Sequence, residues 1–269
     1  MPLIDQTFDG VKEMFRNLEE NANRVGLKVN SNKTELMHVA KNIVRPEYME
    51  INDMRYNVCR KFKYLGSMVN DQNEMDVEIT ARIAAANRCY YSLQNTLGRR
   101  SISTKTKLKI YSTIIKPIVL YGCEAWTLTK NREQRLYVFE NSVLRKIFGA
   151  VFDNEEQTWR RRHNNELREM PGQLNIVDVI RSRRLQYAGH VARMEEGRIP
   201  KKVMVESIAG GRRFPGRPRK RWIDNVKKDL ENAGVDDVQE WRTIAQDRRP
   251  WRQLVLAVRG QQAARAPPE

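Results

Sequence analysis

Between residues 74 and 98, Ile79, Ile83, Ala86, Tyr90, Leu93 and Leu97 recur at intervals of three and four. That spacing lays them in one unbroken stripe along a helix. A helix of this length must pack its stripe on a second element, which pushes the middle of the chain towards layered helices. Gly98-Arg99-Arg100 closes the stripe. The pattern predicts a second helix from about Thr104, with Leu108, Tyr111 and Ile115 inward. Pro117 should kink or break it before Tyr121-Gly122 ends it. A third helix is predicted over about 130–148, with Leu136, Phe139, Val143 and Ile147 on one face and Gly149 as the stop.

The flanking segments read differently. Phe8, Val11, Phe15, Leu18 and Ala22 predict a helix over 8–25, capped by Asp5 or Thr7 and ended by Gly26. Leu27 and Val29, and then residues 35–39, alternate like short strands. A hairpin is expected within residues 40–60, and Phe62, Tyr64 and Leu65-Gly66 suggest a further strand ending in a turn, with Phe62 and Leu65 packed inward. Beyond residue 150 the charged stretch 155–169 reads as helical. Residues 175–194 carry helical spacing through Ile176, Val179, Ile180 and Leu185. The Pro/Gly-rich stretch 197–221 reads as an extended linker. Trp222, Val226 and Leu230 predict a last amphipathic helix over 222–232, and residues 261–269 read as a disordered tail. The fold class that results is α+β, mostly α, with no internal repeat.

The chain carries a net charge of +16 with a sequence pI of about 9.9. The excess is spread evenly: residues 1–150 hold 24 basic and 16 acidic side chains, and residues 151–269 hold 25 and 17. Such a surface favours a polyanionic partner, because each cation that meets a phosphate releases a counterion. Cys59, Cys89 and Cys123 are odd in number and widely separated, as expected of reduced thiols inside a cell. They form no Cys-x-x-Cys pair, and His38, His163 and His190 lie far from them, so no zinc spacing is present. No apolar run approaches the roughly 18 residues of a membrane span, and no signal pattern opens the chain. An intracellular protein of the nucleus or cytoplasm, with no membrane partner, is expected.

Two short segments carry more specific information. Gly26-Leu27-Lys28-Val29-Asn30-Ser31-Asn32-Lys33-Thr34-Glu35 is followed by Phe62-Lys63-Tyr64-Leu65-Gly66-Ser67. In order and spacing they resemble the last two palm motifs of reverse transcriptases from non-long-terminal-repeat (LINE-type) retrotransposons. Three more stretches extend the resemblance over roughly residues 5–255: Tyr121-Gly122-Cys123-Glu124-Ala125-Trp126, Arg183 to Met194, and Gly216 to Asp224. In that family a Tyr-Ala-Asp-Asp box precedes the helix that leads into the first motif. Here that helix starts near Thr7, so the metal-binding aspartates are expected to lie outside this chain.

The resemblance implies a palm remnant over 1–72 carrying the last two palm motifs, a helical thumb over 73–150, and a basic helical C-terminal region over 151–260. It implies that Lys33, beside the nucleotide site in an intact enzyme, is at most vestigial here. It makes Phe62–Ser67 a primer grip, with Lys61, Lys63 and the Gly66 turn against the primer. Thumb cations Arg82, Arg88, Arg99, Arg100, Lys105, Lys107 and Lys109 would then face template and primer. From the linker, Arg213, Arg217, Arg219, Lys220 and Arg221 would add phosphate contacts, and Pro215-Gly216-Arg217-Pro218-Arg219 comes close to an AT-hook. Trp126 is expected to be a core anchor, and His190 to pack or touch phosphate rather than catalyse. No cofactor is expected in the chain itself, although Mg2+ serves the intact family. RNA and DNA template-primer are the expected partners, together with the missing N-terminal polymerase part. Three functions follow as expectations: a catalytically incomplete fragment of an RNA-directed DNA polymerase, a free-standing DNA-binding protein derived from the element, or a remnant without a role.

Overall fold

Thr7 starts the first helix. Its hydroxyl accepts the Gly10 N–H at 3.1 Å, while Asp5 accepts both the Thr7 N–H and its hydroxyl proton, so both expected capping residues contribute. These contacts are seen in a computed structural model that describes residues 2–39, 46–52, 54–170, 175–205, 219–235 and 238–264. Helix α1 (Phe8–Arg24) ends where the Leu27 N–H reaches back to the Ala22 carbonyl at 2.9 Å. Gly26 sits there at φ +73°, the left-handed position this closing motif requires. The chain divides into two compact units, Met1–Glu78 and Ile79–Glu269.

In the first unit a three-stranded sheet runs in the order β1-β3-β2, formed by β1 (Glu35–Leu36), β2 (Tyr48–Ile51) and β3 (Met54–Val58). Strands β2 and β3 make the hairpin expected between 40 and 60, while residues 40–45 lie outside the described residues. Leu27 and Val29 form no strand, contrary to expectation, and β1 is shorter than 35–39. Leu27 is 64% exposed, so no partner strand rewards its alternation. The buried apolar core is Phe15, Ile51 and Tyr56, with Leu3 and Val29 packed against it, and Phe15 meets Tyr56 edge-on at 5.1 Å. A second hairpin pairs β4 (Lys61–Tyr64) with β5 (Ser67–Asn70). Leu65 (φ +46°) and Gly66 (φ +87°) make its two-residue turn, a primed turn that matches strand twist. Leu65 is thus 74% exposed at the tip rather than packed inward. Asn70 folds the chain onward, accepting the Gln72 and Glu74 N–H groups.

Helix α2 (Met75–Gly98) carries the long stripe, and Ile79, Ala86, Tyr90 and Leu97 are buried on it. Next come α3 (Thr104–Ile110), a π-helical turn (Tyr111–Ile115) and α4 (Lys116–Val119). Pro117 has no N–H to give and crowds the carbonyl four residues back. The chain answers with the wider turn rather than a break, and Tyr111 and Ile115 stay fully buried. Gly122 (φ +68°) leads into a 3-10 turn, Cys123–Ala125, before α5 (Lys130–Phe148).

The expected helix over 155–169 is instead a hairpin and a short helix. Strands β6 (Val151–Asp153) and β7 (Thr158–Arg160) are antiparallel, followed by α6 (Asn164–Glu169). Asp153 accepts the Glu155 N–H and Gln157 takes φ +54°, which turns the chain back before a helix can nucleate. Helix α7 (Ile176–Ala192) then runs through the centre of this unit, against α5, the 3-10 turn and four later helices. These are α8 (Ile199–Val205), α9 (Trp222–Glu231), α10 (Val238–Gln246) and α11 (Arg248–Ala264). Helix α8 interrupts the expected linker, whose residues 206–218 lie outside the described residues. The tail expected over 261–269 is helical as far as Ala264. Trp241, Trp251, Val255 and Val258 bury themselves against Leu185, Ala188 and Ala192 of α7. Among the described residues no helix is long and apolar enough to cross a membrane.

Candidate nucleic-acid interface

The irregular stretch from Leu120 to Leu128 is anchored by buried Leu120, Cys123, Trp126 and Leu128, and its shielded carbonyls need donors. Four of them find donors in the two downstream motifs. Arg183 Nη1 donates to the Leu120 carbonyl at 3.0 Å and Trp222 Nε1 to Glu124 at 2.7 Å. Arg184 Nη1 donates to Trp126 at 3.3 Å and Lys220 Nζ to Leu128 at 3.2 Å. Trp126 is 1% exposed, the core anchor expected. The motifs around Arg183 and Trp222 therefore hold the Tyr121–Trp126 segment in place.

A charge network backs this junction. Arg184, 1% exposed, sets its Nε 3.1 Å from Asp229 Oδ2 of α9, out of line for a hydrogen bond. Arg181 reaches Glu133 at 2.9 Å and Asp178 at 3.4 Å. Burial raises the Asp229 carboxyl and lowers the Arg184 guanidinium, and each partner's charge pulls the other back. Glu140 organises a second cluster. Its Oε1 accepts the Tyr111 hydroxyl at 2.7 Å and the Lys116 ammonium at 3.1 Å, and its Oε2 accepts the Ile176 N–H at 2.7 Å. The last of these places a carboxylate at the start of α7, where the helix dipole favours it.

In the first unit Lys33, the expected vestige of a nucleotide site, is exposed in a 3-10 turn, Ser31–Lys33. Lys61 and Lys63 are exposed two residues apart on β4, hence on one face of the hairpin, with Gly66 in its turn. In the second unit Arg88, Arg99, Arg100 and Lys105 are exposed, the last three around the α2–α3 connection. Arg82 is half-buried and stacks its guanidinium 4.4 Å over the Tyr121 ring. Arg82 and Arg88 are six residues apart, about 120° round the helix, so α2 does not gather them on one face. Lys107 is buried at 8% exposure and leaves the expected basic face, while Lys109 stays exposed. Arg213 and Arg217 lie outside the described residues, as does most of the AT-hook-like stretch. Arg219 and Arg221 are exposed, and the Arg221 N–H binds Asp224 at 2.8 Å to start α9. Lys220 spends its ammonium on the Leu128 carbonyl, and burial followed by the charge of Lys228 lowers its pKa.

A concentration of cations that the motifs did not reveal lies between α7 and α11. Arg193, Arg248 and Arg252 line a cavity of about 310 Å3 whose apolar wall is Trp251, Val255 and Leu256, and no carboxylate lines it. Burial lowers the Arg193 pKa, and the like charge of Arg248 lowers it further. The Arg193 guanidinium also binds the Ala245 carbonyl. The cluster Arg248-Arg249-Pro250-Trp251-Arg252 was the sequence signal available for it. His190 is exposed and tilts towards Tyr187, with ring centres 6.4 Å apart. Among the described residues no three of His, Cys, Asp and Glu stand close enough to hold a metal ion.

Comparison with known proteins bears on this arrangement. The chain is similar to a transposon-derived protein of Caenorhabditis elegans, with 26% identity over 245 residues, 89% of this chain and 86% of that protein. It is also similar to an RNA-directed DNA polymerase from the transposon X-element of Drosophila melanogaster, with 26% identity over 146 residues. That match takes in 53% of this chain but spans 16% of the polymerase. No protein-family model matches, and no solved structure matches. The chain is thus a distant homologue of transposon-derived proteins, one of them an RNA-directed DNA polymerase.

Proposed function

We propose that this chain is the closing part of a retrotransposon RNA-directed DNA polymerase, comprising the end of the palm, the thumb and a basic C-terminal region. Its role is to hold RNA and DNA template-primer. The observation that carries the binding role is the arginine-lined cavity between α7 and α11. Three arginines line it without a lining carboxylate, a composition suited to phosphate. Arg88, Arg99, Arg100 and Lys105 of the second unit are further exposed cations, and so, within the first unit, are Lys61 and Lys63. The likeness to the Drosophila polymerase supports the assignment to such an enzyme.

Reading the transcript upstream of the Met1 codon tests the polymerase assignment. An open frame leading into a Tyr-Ala-Asp-Asp box is the expected result, and stop codons within a few triplets would overturn it. A second reading is favoured by one observation: the nematode relative is matched over 86% of its own length. Under that reading the chain is a free-standing DNA-binding protein whose main contact is residues 198–228. Deleting residues 210–221 separates the two, removing most DNA affinity under this second reading and only part of it under the first.

A further inference from the structure

Trp159 is 72% exposed, whereas Trp126, Trp241 and Trp251 are buried and Trp222 is half-buried. It stands directly opposite Phe152 in the β6–β7 hairpin, and Phe152 is itself 40% exposed. Their rings meet edge-to-face with centres 5.5 Å apart. Both rings are thus open to a stacking partner.

The hairpin that presents this pair is pinned from behind. Arg160, on the opposite face of β7, binds Asp153 Oδ2 at 2.7 Å and both oxygens of Glu166, at 2.6 and 3.2 Å. Arg160 thereby ties both carboxylates to the rear of the hairpin and fixes the aromatic face to α6. Exposed Arg161 directly follows β7, two residues on from Trp159. Burial lowers the Arg145 pKa, and the charge of Arg161 lowers it further. Close by, the Arg162 Nε is buried with no hydrogen-bond partner. The base of the hairpin therefore carries cations in excess, while exposed Glu155 and Glu156 occupy its tip.

We propose that Phe152 and Trp159 form a stacking platform for an unpaired base of single-stranded nucleic acid, with the adjoining phosphate against Arg161. The inference rests on the nucleic-acid-binding reading above and adds where an unpaired segment would be held. Aromatic faces take any base, and a neighbouring arginine takes the backbone. A paired base inside a duplex has both faces covered and cannot use the platform. RNA and DNA share this chemistry, so the test carries both.

The test follows the exposed tryptophan emission of the intact chain during titration with oligouridylate and with oligothymidylate, while anisotropy of the labelled strand reports binding. Quenching of the exposed component by one or both strands is expected. In Trp159→Leu that change should vanish and affinity should fall roughly tenfold. Trp159→Phe should recover part of the affinity, and Arg161→Gln should weaken binding while leaving the free-state emission intact. Far-ultraviolet circular dichroism of each variant reports that the fold is retained. Binding by anisotropy with unchanged Trp159 emission, or unchanged affinity in Trp159→Leu, would overturn the platform and leave the basic-surface reading standing. Equal quenching by a duplex of the same length, or an emission shift that follows protein concentration without any oligonucleotide, would overturn it too. Absence of binding by any strand would sink both readings.

Discussion

Gly189 gives the sharpest handle on the core of the second unit. It is buried on α7, and a Cβ placed there would lie 2.0 Å from Trp251 Nε1 and 2.5 Å from two ring carbons. The indole occupies that space because it donates to the Leu185 carbonyl at 3.1 Å and packs against Trp241, ring centres 5.6 Å apart. Replacing Gly189 by alanine pushes the indole away. Overpacking costs about 1–3 kcal/mol, and the buried Trp251 N–H losing its acceptor costs roughly 1–3 kcal/mol more. Alanine returns about 1 kcal/mol of helix propensity. A net loss of roughly 1–5 kcal/mol is expected, or a melting point lower by about 2–20 °C for a unit of this size. Thermal and urea melts followed by circular dichroism measure it. Gly197→Ala is the control, since nothing lies within 4 Å of the position its Cβ would take. A Gly189→Ala variant as stable as the parent would refute the packing described for α7 and α11.

Three further outcomes follow. Glu140→Ala breaks the buried ion pair with Lys116 and takes the acceptor from the Ile176 N–H, so a loss of about 3–5 kcal/mol is expected in the same melts, with less for Glu140→Gln. The Cys123 and Cys59 thiols are each pushed up to about 11, chiefly by burial, and thiolate is the reactive form; iodoacetamide at pH 8 should modify Cys123 only on unfolding, and rapid labelling of Cys123 in the folded chain, read by peptide mass, would contradict its burial. The Arg160 guanidinium holds the Glu166 carboxyl down at about 2, against an ordinary 4.5. Its folded pKa is depressed, so its contribution is complete above the ordinary value and is lost as pH falls through about 2. Acid titration of the exposed tryptophan emission should show the loss, and Arg160→Gln should move it up towards 4.5.

Long periodic segments were legible in the sequence, and short or interrupted ones were not. The stripes of α1, α2, α5 and α7 each repeat often enough to fix a helix and its buried face. Strands β6 and β7 have three residues each, too few for alternation to stand out from a charged background. Helix α11 carries Trp251, Leu254, Val255 and Val258 at helical spacing, and Pro250 does not interrupt it because the first turn tolerates proline. The carbonyl-binding roles of Arg183, Arg184 and Lys220 were hidden for a different reason. A basic run reads as a phosphate surface until the fold shows which carbonyls of Leu120–Leu128 lack donors. Trp159 was hidden in the same way, since exposure is a property of the folded hairpin.

The most direct test of the central claim is the affinity of the intact chain for a labelled RNA-template, DNA-primer hairpin across 50–200 mM salt. A linear fall of log affinity with log salt, with a slope of about −4 corresponding to roughly five phosphate contacts, is expected. The combined substitution Arg193→Gln, Arg248→Gln and Arg252→Gln should flatten that slope by about one for each phosphate it leaves unneutralised. No measurable binding at 50 mM salt, or a slope untouched by the triple substitution, would contradict a nucleic-acid seat between α7 and α11.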